Sequence, residues 1–224
     1  MGVFEGYPNR DSLSYIDIYN IPETETMLRG TFRNIGWCRT LKKIADLGLL
    51  NLEERPFEGM TYADLMRELI HDGEDLRKAT AAACKIETED EIISRFQWLG
   101  LFSDEKIPPE VNTSLDALCH LFEEKLQYAA GERDMIVMHH EFIVQFSEGK
   151  KKITSTMIDY GIPNGDSSMS RTVALPVAIA SRMILNGTIN LTGVHRPIRP
   201  ELYSPILKEL ESLDIGLEEH EFEI

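Results

Sequence analysis

The sequence predicts an α+β protein in which strand-containing segments flank a purely helical stretch. Three segments of different hydrophobic periodicity support this prediction. Residues 29–47 read as a strand that leads into a helix, residues 51–130 repeat apolar side chains with the period of helices, and residues from 134 onward return to strand-like alternation. A length of 224 residues allows one large domain or two small ones.

The first predicted strand carries two arginines on one face. Arg29, Thr31 and Arg33 alternate along the chain, so a strand would project all three side chains to the same side. Gly30 lets a ligand or another backbone approach closely. A helix is expected from about Cys38 to Leu47.

A loop with a further arginine lies upstream. Pro8 biases the residue before it toward extended geometry, which places the tetrapeptide 9–12 on a loop. Guanidinium groups make planar, two-point contacts with carboxylates, so Arg10, Arg29 and Arg33 favour an anion pocket for a carboxylated metabolite. In the alternative interpretation these arginines are surface charges, or partners of the carboxylates at Asp11, Asp17, Glu23 and Glu25.

The distribution of charge supports an anionic ligand. Residues 1–45 sum to +1, whereas the remainder sums to −16. The net charge of −15 and a pI near 4.8 argue against nucleic-acid binding, which needs a basic surface. No apolar run approaches the roughly 20 residues that span a bilayer, and the N-terminus lacks signal-peptide features, so we expect no membrane partner and a cytoplasmic location.

The helical stretch is predicted to contain four helices. They are expected at 61–71, around 79–83, at 89–99 and at 113–128, and Asp72-Gly73 is expected to end the first. His71 and His120 stand alone and are interpreted as surface or capping residues. Cys38, Cys84 and Cys119 form no CxxC pair, so they are interpreted as small core residues of a protein from a reducing compartment, and no metal site is expected.

The last third of the chain is predicted to open with a β-hairpin. Its strands are Met135–Phe146 and Lys152–Tyr160, and His139-His140 lie on opposite faces, so they cannot share one metal ion. The polar loop 161–168 precedes a helix expected at 169–185. That helix N-terminus is a second candidate anion site, or it is simply capped by Ser167 or Ser168.

The end of the chain is also predicted to be helix and strand. The apolar pattern of helix 169–185 continues past Pro176, which indicates a kink and not an end. A final helix is expected at 201–213 and a final strand at 219–224. No GxGxxG dinucleotide fingerprint occurs anywhere in the chain.

Several motifs resemble one enzyme family. The run YPNRDS, followed by IPETETMLRGTFR and GW, resembles the C-terminal half of the glutamate-forming saccharopine dehydrogenases, whose hallmark stretches include PNRDS and RGT-x-R. Later segments keep the family's order and spacing: ERDMIVMHHEF, STMIDYG, SSMSRTVALPVAIASRMILNG and RPELYSPILKELESLDI. The resemblance runs from near residue 6 almost to the C-terminus.

The resemblance implies a domain organisation. Members carry an N-terminal Rossmann domain, which this chain lacks, and an α/β substrate-binding domain with a helical insert. On that pattern residues 1–50 and 131–224 would form a discontinuous, mixed-sheet substrate-binding domain, and residues 51–130 would form the all-helical insert. A homodimer is a further expectation.

The resemblance also implies a reaction. The family oxidises saccharopine at its secondary amine with NAD or NADP and hydrolyses the imine to glutamate and 2-aminoadipate 6-semialdehyde, or runs the reverse, in lysine metabolism. The cofactor would be bound mainly by the missing Rossmann domain, so this chain alone is expected to be inactive. The alternatives are a related dehydrogenase that acts on a secondary amine of another amino acid or a polyamine, and a non-catalytic amino-acid-binding module.

Site residues carry over by motif. Arg10 of PNRDS would bind a substrate carboxylate, and Thr31, Phe32 and Arg33 of RGTFR would form a second substrate-contacting element. Asn9 and Arg29 are added as candidate substrate-binding residues on the basis of their expected geometry. No residue can be assigned as general base. Many family members read RGTLRY, so Phe32 and Asn34 are departures at the edge of the pocket.

Overall fold

The computed structural model describes residues 2–71 and 74–224. The chain divides into two compact units, Met1–Gln127 and Tyr128–Ile224. Both combine helices with a small antiparallel sheet, so the α+β class is confirmed. The further assignment of residues 1–50 and 131–224 to one discontinuous domain, with 51–130 as an insert, stays a prediction.

The first unit has a two-stranded sheet and six helices among its described residues. They are β1 (Phe4–Pro8), α1 (Ser14–Tyr19), β2 (Gly30–Asn34), α2 (Trp37–Asp46), α3 (Tyr62–Ile70), α4 (Leu76–Cys84), α5 (Glu91–Leu99) and α6 (Ser114–Lys125). Every helix predicted here is present within a few residues, whereas β1 and α1 were not predicted. The expected stop at Asp72-Gly73 lies outside the described residues, and α3 ends at Ile70 with His71 as its cap.

Polar side chains set where the helices of this unit begin. Thr61 and Asp64 form a reciprocal capping box at α3, in which each side chain accepts a hydrogen bond from the backbone N–H of the other residue. The side chains of Asp75, Asp90 and Thr113 cap α4, α5 and α6 in the same way, by accepting a backbone N–H of the first turn. The sequence therefore specifies these helix starts locally.

The core of the first unit joins α2 to the helices that follow it. Ile44 of α2 packs in one buried cluster with Leu65, Phe96 and Leu121, which come from α3, α5 and α6. All four side chains are at least 98% buried. Since each such side chain contributes roughly 1.5–3 kcal/mol, this cluster holds the strand-to-helix segment of β2 and α2 against a stable support.

The second unit is a three-stranded sheet with two helices. Its elements are β3 (Met135–Phe146), β4 (Gly149–Tyr160), α7 (Ser168–Leu185), α8 (Pro200–Glu211) and β5 (Glu218–Glu223). The strand order is β3-β4-β5, and Met138 pairs with Met157 while Thr154 pairs with His220. The predicted hairpin and both helices are confirmed, and α7 continues through Pro176.

Strand direction corrects one prediction. Every strand pair among the described residues is antiparallel, whereas the resemblance implied a mixed sheet. The strands here are linked by hairpins or by long connections that return the chain in the opposite direction, and such links produce antiparallel pairs. Within the described part of the chain, no helix combines the length and the apolar character that crossing a bilayer requires.

Candidate functional site

The β1–β2 sheet sorts the candidate residues onto two faces. Its register pairs Tyr7 with Thr31 and Glu5 with Arg33, and directly opposed residues of an antiparallel pair share a face. Thr31 and Arg33 therefore project to the same side, as predicted from their alternation. One face of this sheet accordingly combines a hydroxyl, a phenol ring, a carboxylate and a guanidinium.

Phe32 projects to the opposite face. Its ring centroid lies 6.0 Å from that of Phe4, and the side chain is 43% exposed. On the Arg33 side, Phe32 offers only its carbonyl oxygen, which accepts a hydrogen bond from Arg33 Nη1 at 2.8 Å. The structure thus separates the Phe32 side chain from those of Thr31 and Arg33, which the RGTFR motif had grouped together.

Asn9 links the arginine loop to the strand. Its Nδ2 donates to Thr31 Oγ1 at 2.8 Å, and its backbone N–H donates to the carbonyl of Arg29 at 3.0 Å. Both bonds lie at the end of the sheet where β1 stops and β2 starts. Asn9, Thr31 and the backbone of Arg29 are therefore brought together, and their role in a common site stays a prediction.

The rest of the loop is anchored by its short polar side chains. Asp11 Oδ1 accepts the N–H of Leu13 at 2.9 Å, and Ser12 Oγ donates to the carbonyl of Met27 at 3.0 Å. Hydrogen bonds from Ser14 hold the pKa of Asp11 below its usual range, and the positive charge of Arg29 acts in the same direction. These contacts shape the loop without involving the guanidinium of Arg10.

Arg10 is held in an unusual backbone conformation. Its φ of 62° lies in the left-handed region, which residues other than glycine rarely adopt. Across residues 2–71 and 74–224 its exposed side chain makes no hydrogen bond or ion pair. Both neighbours of Arg10 are held by hydrogen bonds, Asn9 to Thr31 and Asp11 to the backbone of Leu13. All N–H donors of the Arg10 guanidinium are therefore available to a ligand.

Aromatic rings support the other two guanidiniums. Arg29 Cζ lies 4.7 Å from the centroid of the Tyr15 ring, and Arg33 Cζ lies 5.9 Å from the centroids of both Tyr7 and Trp37. Stacking on a ring orients a guanidinium while it leaves the N–H groups at the edge free to donate. These rings were not predicted as site residues. Pairing of β1 with β2 brings Tyr7 to Arg33, and the positions of α1 and α2 bring Tyr15 to Arg29 and Trp37 to Arg33.

The alternative of internal ion pairs finds no support. Within the described residues, no carboxylate oxygen lies within 4.0 Å of the guanidinium nitrogens of Arg10, Arg29 or Arg33. Other arginines of the chain do form such pairs, for example Arg39 with Asp90 at 2.5 Å. The three arginines without a described acidic partner lie along the β1–β2 sheet: Arg10 and Arg29 flank the end where β1 stops and β2 starts, and Arg33 lies on β2 opposite Glu5, towards the other end. Guanidiniums without an internal carboxylate partner are suited to binding an anion.

The second candidate anion site is already filled by the protein. Asp134 Oδ1 accepts the N–H of Ser168 at 2.6 Å, and its Oδ2 accepts the N–H of Met169 at 2.8 Å. Ser167 also caps the helix through Ser170. A carboxylate at the N-terminus of α7 satisfies the donors that would bind a ligand and repels other anions, so the capping interpretation is confirmed.

Replacing Asp134 with asparagine should make stability less dependent on pH. Burial raises the pKa of Asp134, but hydrogen bonds from the N–H groups of Met169 and Ser168 lower it by more. The pKa of Asp134 therefore lies below its ordinary value of 3.8. A depressed folded pKa contributes stability that is present above the unfolded pKa and lost as pH falls through the folded one. We expect Asp134→Asn to lower the free energy of unfolding by about 1–2 kcal/mol at neutral pH.

This expectation is tested by measuring the free energy of unfolding in urea at pH 7 and below pH 4. The difference between wild type and Asp134→Asn should narrow in acid, since the protonated carboxyl then resembles the amide. Asp166→Asn is the matched control, because Asp166 lies in the loop that leads into α7, the helix that Asp134 caps, but is exposed. A difference that stays constant between the two pH values would contradict the assignment.

Other candidate groups do not form a site. Among the described residues, no cluster of three or more His, Cys, Asp or Glu side chains could hold a metal ion. Of the cysteines, Cys84 is buried as predicted, whereas Cys119 is exposed because it lies on the outer side of α6. His120 is not simply a surface residue: its Nδ1 lies 3.0 Å from the hydroxyl of Tyr62, and burial raises the pKa of Tyr62 to about 12.

A cavity in the first unit is unsuited to an anion. It has a volume of about 210 Å³ and an almost wholly apolar lining that includes Trp37, Trp98 and Leu126. Its only charged lining residue among those described is Arg95, whose guanidinium already donates to the carbonyl of Gly36 at 3.1 Å and to Thr40 at 2.9 Å. The loop and strand of Arg10 and Arg33 therefore remain the candidate anion site.

Comparison with known proteins agrees with the resemblance read from the motifs. A family model described as the saccharopine dehydrogenase C-terminal domain matches residues 1–215. The chain is 39% identical over 218 residues to the NADP(+), L-glutamate-forming saccharopine dehydrogenase of Saccharomyces cerevisiae, and this match covers 93% of the chain and 49% of that protein. It is 36% identical to the mitochondrial alpha-aminoadipic semialdehyde synthase of Bos taurus, covering 93% of the chain and 23% of that protein.

A solved structure shows the same fold. Apo histidine-tagged saccharopine dehydrogenase (L-Glu forming) from Saccharomyces cerevisiae matches with a TM-score of 0.87 at 38% identity, over 98% of this chain and 52% of that one. The chain thus spans about half the length of the saccharopine dehydrogenases that it matches.

Proposed function

This chain belongs to the saccharopine dehydrogenase family, and from that premise we propose that it is the substrate-binding part of an enzyme that oxidises saccharopine. The products would be glutamate and 2-aminoadipate 6-semialdehyde, and the oxidant would be NAD or NADP. One observation carries the proposal: Arg10, Arg29 and Arg33 have no described carboxylate partner. Saccharopine bears several carboxylates, which is the chemistry that such guanidiniums recognise.

The described geometry suggests a division of labour within the site. Arg10 offers a fully available guanidinium on a loop that Asn9 ties to Thr31. Arg33, on the strand, is oriented by the rings of Tyr7 and Trp37. A loop residue and a strand residue would bind different carboxylates of one extended ligand, while Thr31 keeps the two elements in register. Phe32 would act through its backbone, because its side chain lies on the other face.

The nicotinamide cofactor is proposed to bind mainly outside the described residues of this chain. Dinucleotide phosphates are often bound at a helix N-terminus, and the one predicted candidate, at α7, holds the carboxylate of Asp134. We therefore assign no cofactor contact to these residues and place the cofactor mainly on a Rossmann domain outside them. When bound, that cofactor supplies the hydride acceptor, while this chain binds and orients the substrate.

Titration of saccharopine into the protein by isothermal titration calorimetry tests the proposal. We expect binding at neutral pH that weakens with added salt, because the contacts are electrostatic and partly exposed. A polyamine such as spermidine should not bind, since the guanidiniums repel a polycation. Spermidine binding without saccharopine binding would instead favour a polyamine enzyme.

Turnover separates the enzyme from a non-catalytic binding module. With saccharopine and NAD(P)⁺, we expect the protein that carries a Rossmann domain to form reduced nicotinamide, and the 224-residue chain alone to form none. Binding by this chain without turnover by the protein at its native length would favour the binding module. The cytoplasmic location and the homodimer stay predictions.

A further inference from the structure

Glu5 makes contacts that the motifs around it do not account for. It lies on β1 opposite Arg33 and is half-buried. Its Oε2 accepts the backbone N–H of Gly36 at 3.0 Å, and its Oε1 accepts the backbone N–H of Cys38. Both carboxylate oxygens are therefore committed to the backbone where α2 begins, and Glu5 forms no described ion pair with Arg33.

This carboxylate supplies a cap that the helix itself lacks. The residue at the N-cap position of α2 is Gly36, which has no side chain with which to accept a hydrogen bond. The hydrogen bond from Cys38, with that from Gly36, holds the pKa of Glu5 below its usual range, so Glu5 is ionised at neutral pH. A negative charge there also complements the positive end of the helix.

The connection between β2 and α2, where Glu5 binds, also contains an aromatic ring that contacts Arg33. Only Asn34, Ile35 and Gly36 separate Arg33 from Trp37, whose ring lies below the guanidinium. The second ring below that guanidinium is Tyr7, on the same strand as Glu5. Glu5 therefore links the strand that carries Tyr7 to the first turn of the helix that carries Trp37.

A second contact fixes the connection between β2 and α2 through its carbonyl group. Arg95 donates to the carbonyl of Gly36 at 3.1 Å, and Gly36 adopts a φ of 91° that favours glycine. Glu5 thus binds the N–H of Gly36 while Arg95 binds its carbonyl. The link between β2 and α2 has little freedom to move unless one of these bonds is lost.

We propose that Glu5 is a positioning residue for Arg33: by capping α2 from β1, it holds the Arg33 guanidinium in the orientation that binds a carboxylate of the substrate. This inference rests on the proposed function of the site. The inference predicts the direction of the change in affinity when Glu5 is removed. By electrostatics alone, removal of a negative charge near an anion site would strengthen anion binding. Loss of positioning predicts that binding weakens instead.

A double-mutant cycle tests the coupling by calorimetric titration of saccharopine into the full-length protein. We expect Glu5→Ala to weaken binding by about 5- to 20-fold, an effect within the range measured for coupled neighbours. In an Arg33→Ala background the same change should have no further effect, whereas in an Arg10→Ala background it should act in full. Glu5→Gln, which keeps one oxygen acceptor, should fall between wild type and Glu5→Ala, and Glu23→Ala is the matched control for removing an exposed carboxylate.

The outcomes separate this inference from the proposed function. If Arg33→Ala weakens binding but Glu5→Ala and Glu5→Gln leave it unchanged or tighter, the positioning role is wrong and the site stands. If Glu5 substitution weakens binding equally with and without Arg33, Glu5 acts on folding in general and the inference is overturned. If Arg33→Ala itself has no effect, both the inference and the proposed placement of the site fail. If Glu5→Ala does not fold, Glu5→Gln is compared in the same backgrounds instead.

Discussion

Substitution of Arg10 by alanine is expected to weaken saccharopine binding by about 1.5–3 kcal/mol, or roughly 10- to 150-fold in Kd. The side chain has no described partner within the protein, so its removal leaves no internal group unsatisfied. The loss should therefore appear in binding and not in folding. Calorimetric titration measures the first quantity, and thermal unfolding measures the second.

Two further variants make this result specific. Arg10→Lys keeps the charge but loses the planar fork of donors, so it should restore only part of the affinity. Arg67→Ala removes an exposed arginine that is paired with Asp64 on α3, and it should leave binding unchanged. If Arg10→Ala binds saccharopine with wild-type affinity, Arg10 does not belong to the site.

Substitution of Arg171 by methionine is expected to lower the free energy of unfolding by about 3–5 kcal/mol. Arg171 Nη1 lies 2.8 Å from Asp159 Oδ1, and the two side chains are only 17% and 5% exposed. Arg171 also donates to the carbonyl of Leu213 at 3.1 Å, so it joins α7, β4 and the segment after α8. Its removal leaves the buried Asp159 carboxylate with Ser168 Oγ as its remaining described hydrogen-bond donor.

The chain offers a matched control on the same helix. Arg182 pairs with Glu209, but its side chain is 58% exposed, so Arg182→Met should cost only about 0–1 kcal/mol. Combining Arg171→Met with Asp159→Asn should be less destabilising than the sum of the two single changes, because no unpaired charge remains. Urea unfolding of the four variants measures these differences, and equal costs for Arg171 and Arg182 would contradict the role assigned to the buried pair.

Local chemistry in the sequence predicted the helices well. Thr61, Asp90 and Thr113 each lie beside the first turn of a helix that their side chains cap, so the starts of α3, α5 and α6 follow from neighbouring residues. The hairpin of β3 and β4 follows from the two-residue alternation on either side of Gly149. Capping and periodicity act over a few residues, and a sequence displays them directly.

Strand β1 and helix α1 were missed for the opposite reason. β1 has five residues, and α1 has six and no buried side chain, so neither produces a periodic apolar signal. β1 is stabilised by pairing with β2, which lies more than 20 residues further along the chain. Pairing over that separation depends on how the intervening loop folds, and single-strand patterns do not contain that information.

For the candidate site, the residue types came from the sequence and their arrangement from the tertiary structure. Motifs and alternation singled out Asn9, Arg10, Thr31 and Arg33 as groups suited to a carboxylate, since guanidinium chemistry does not depend on the fold. The alternation that puts Thr31 and Arg33 on one face also puts Phe32 on the other, and the strand register agrees. Strand pairing and helix packing placed the Tyr7 and Trp37 rings beneath Arg33. They directed Glu5 to the start of α2 and filled the α7 N-terminus with Asp134, because these contacts join residues 31 to 35 positions apart and depend on three-dimensional packing.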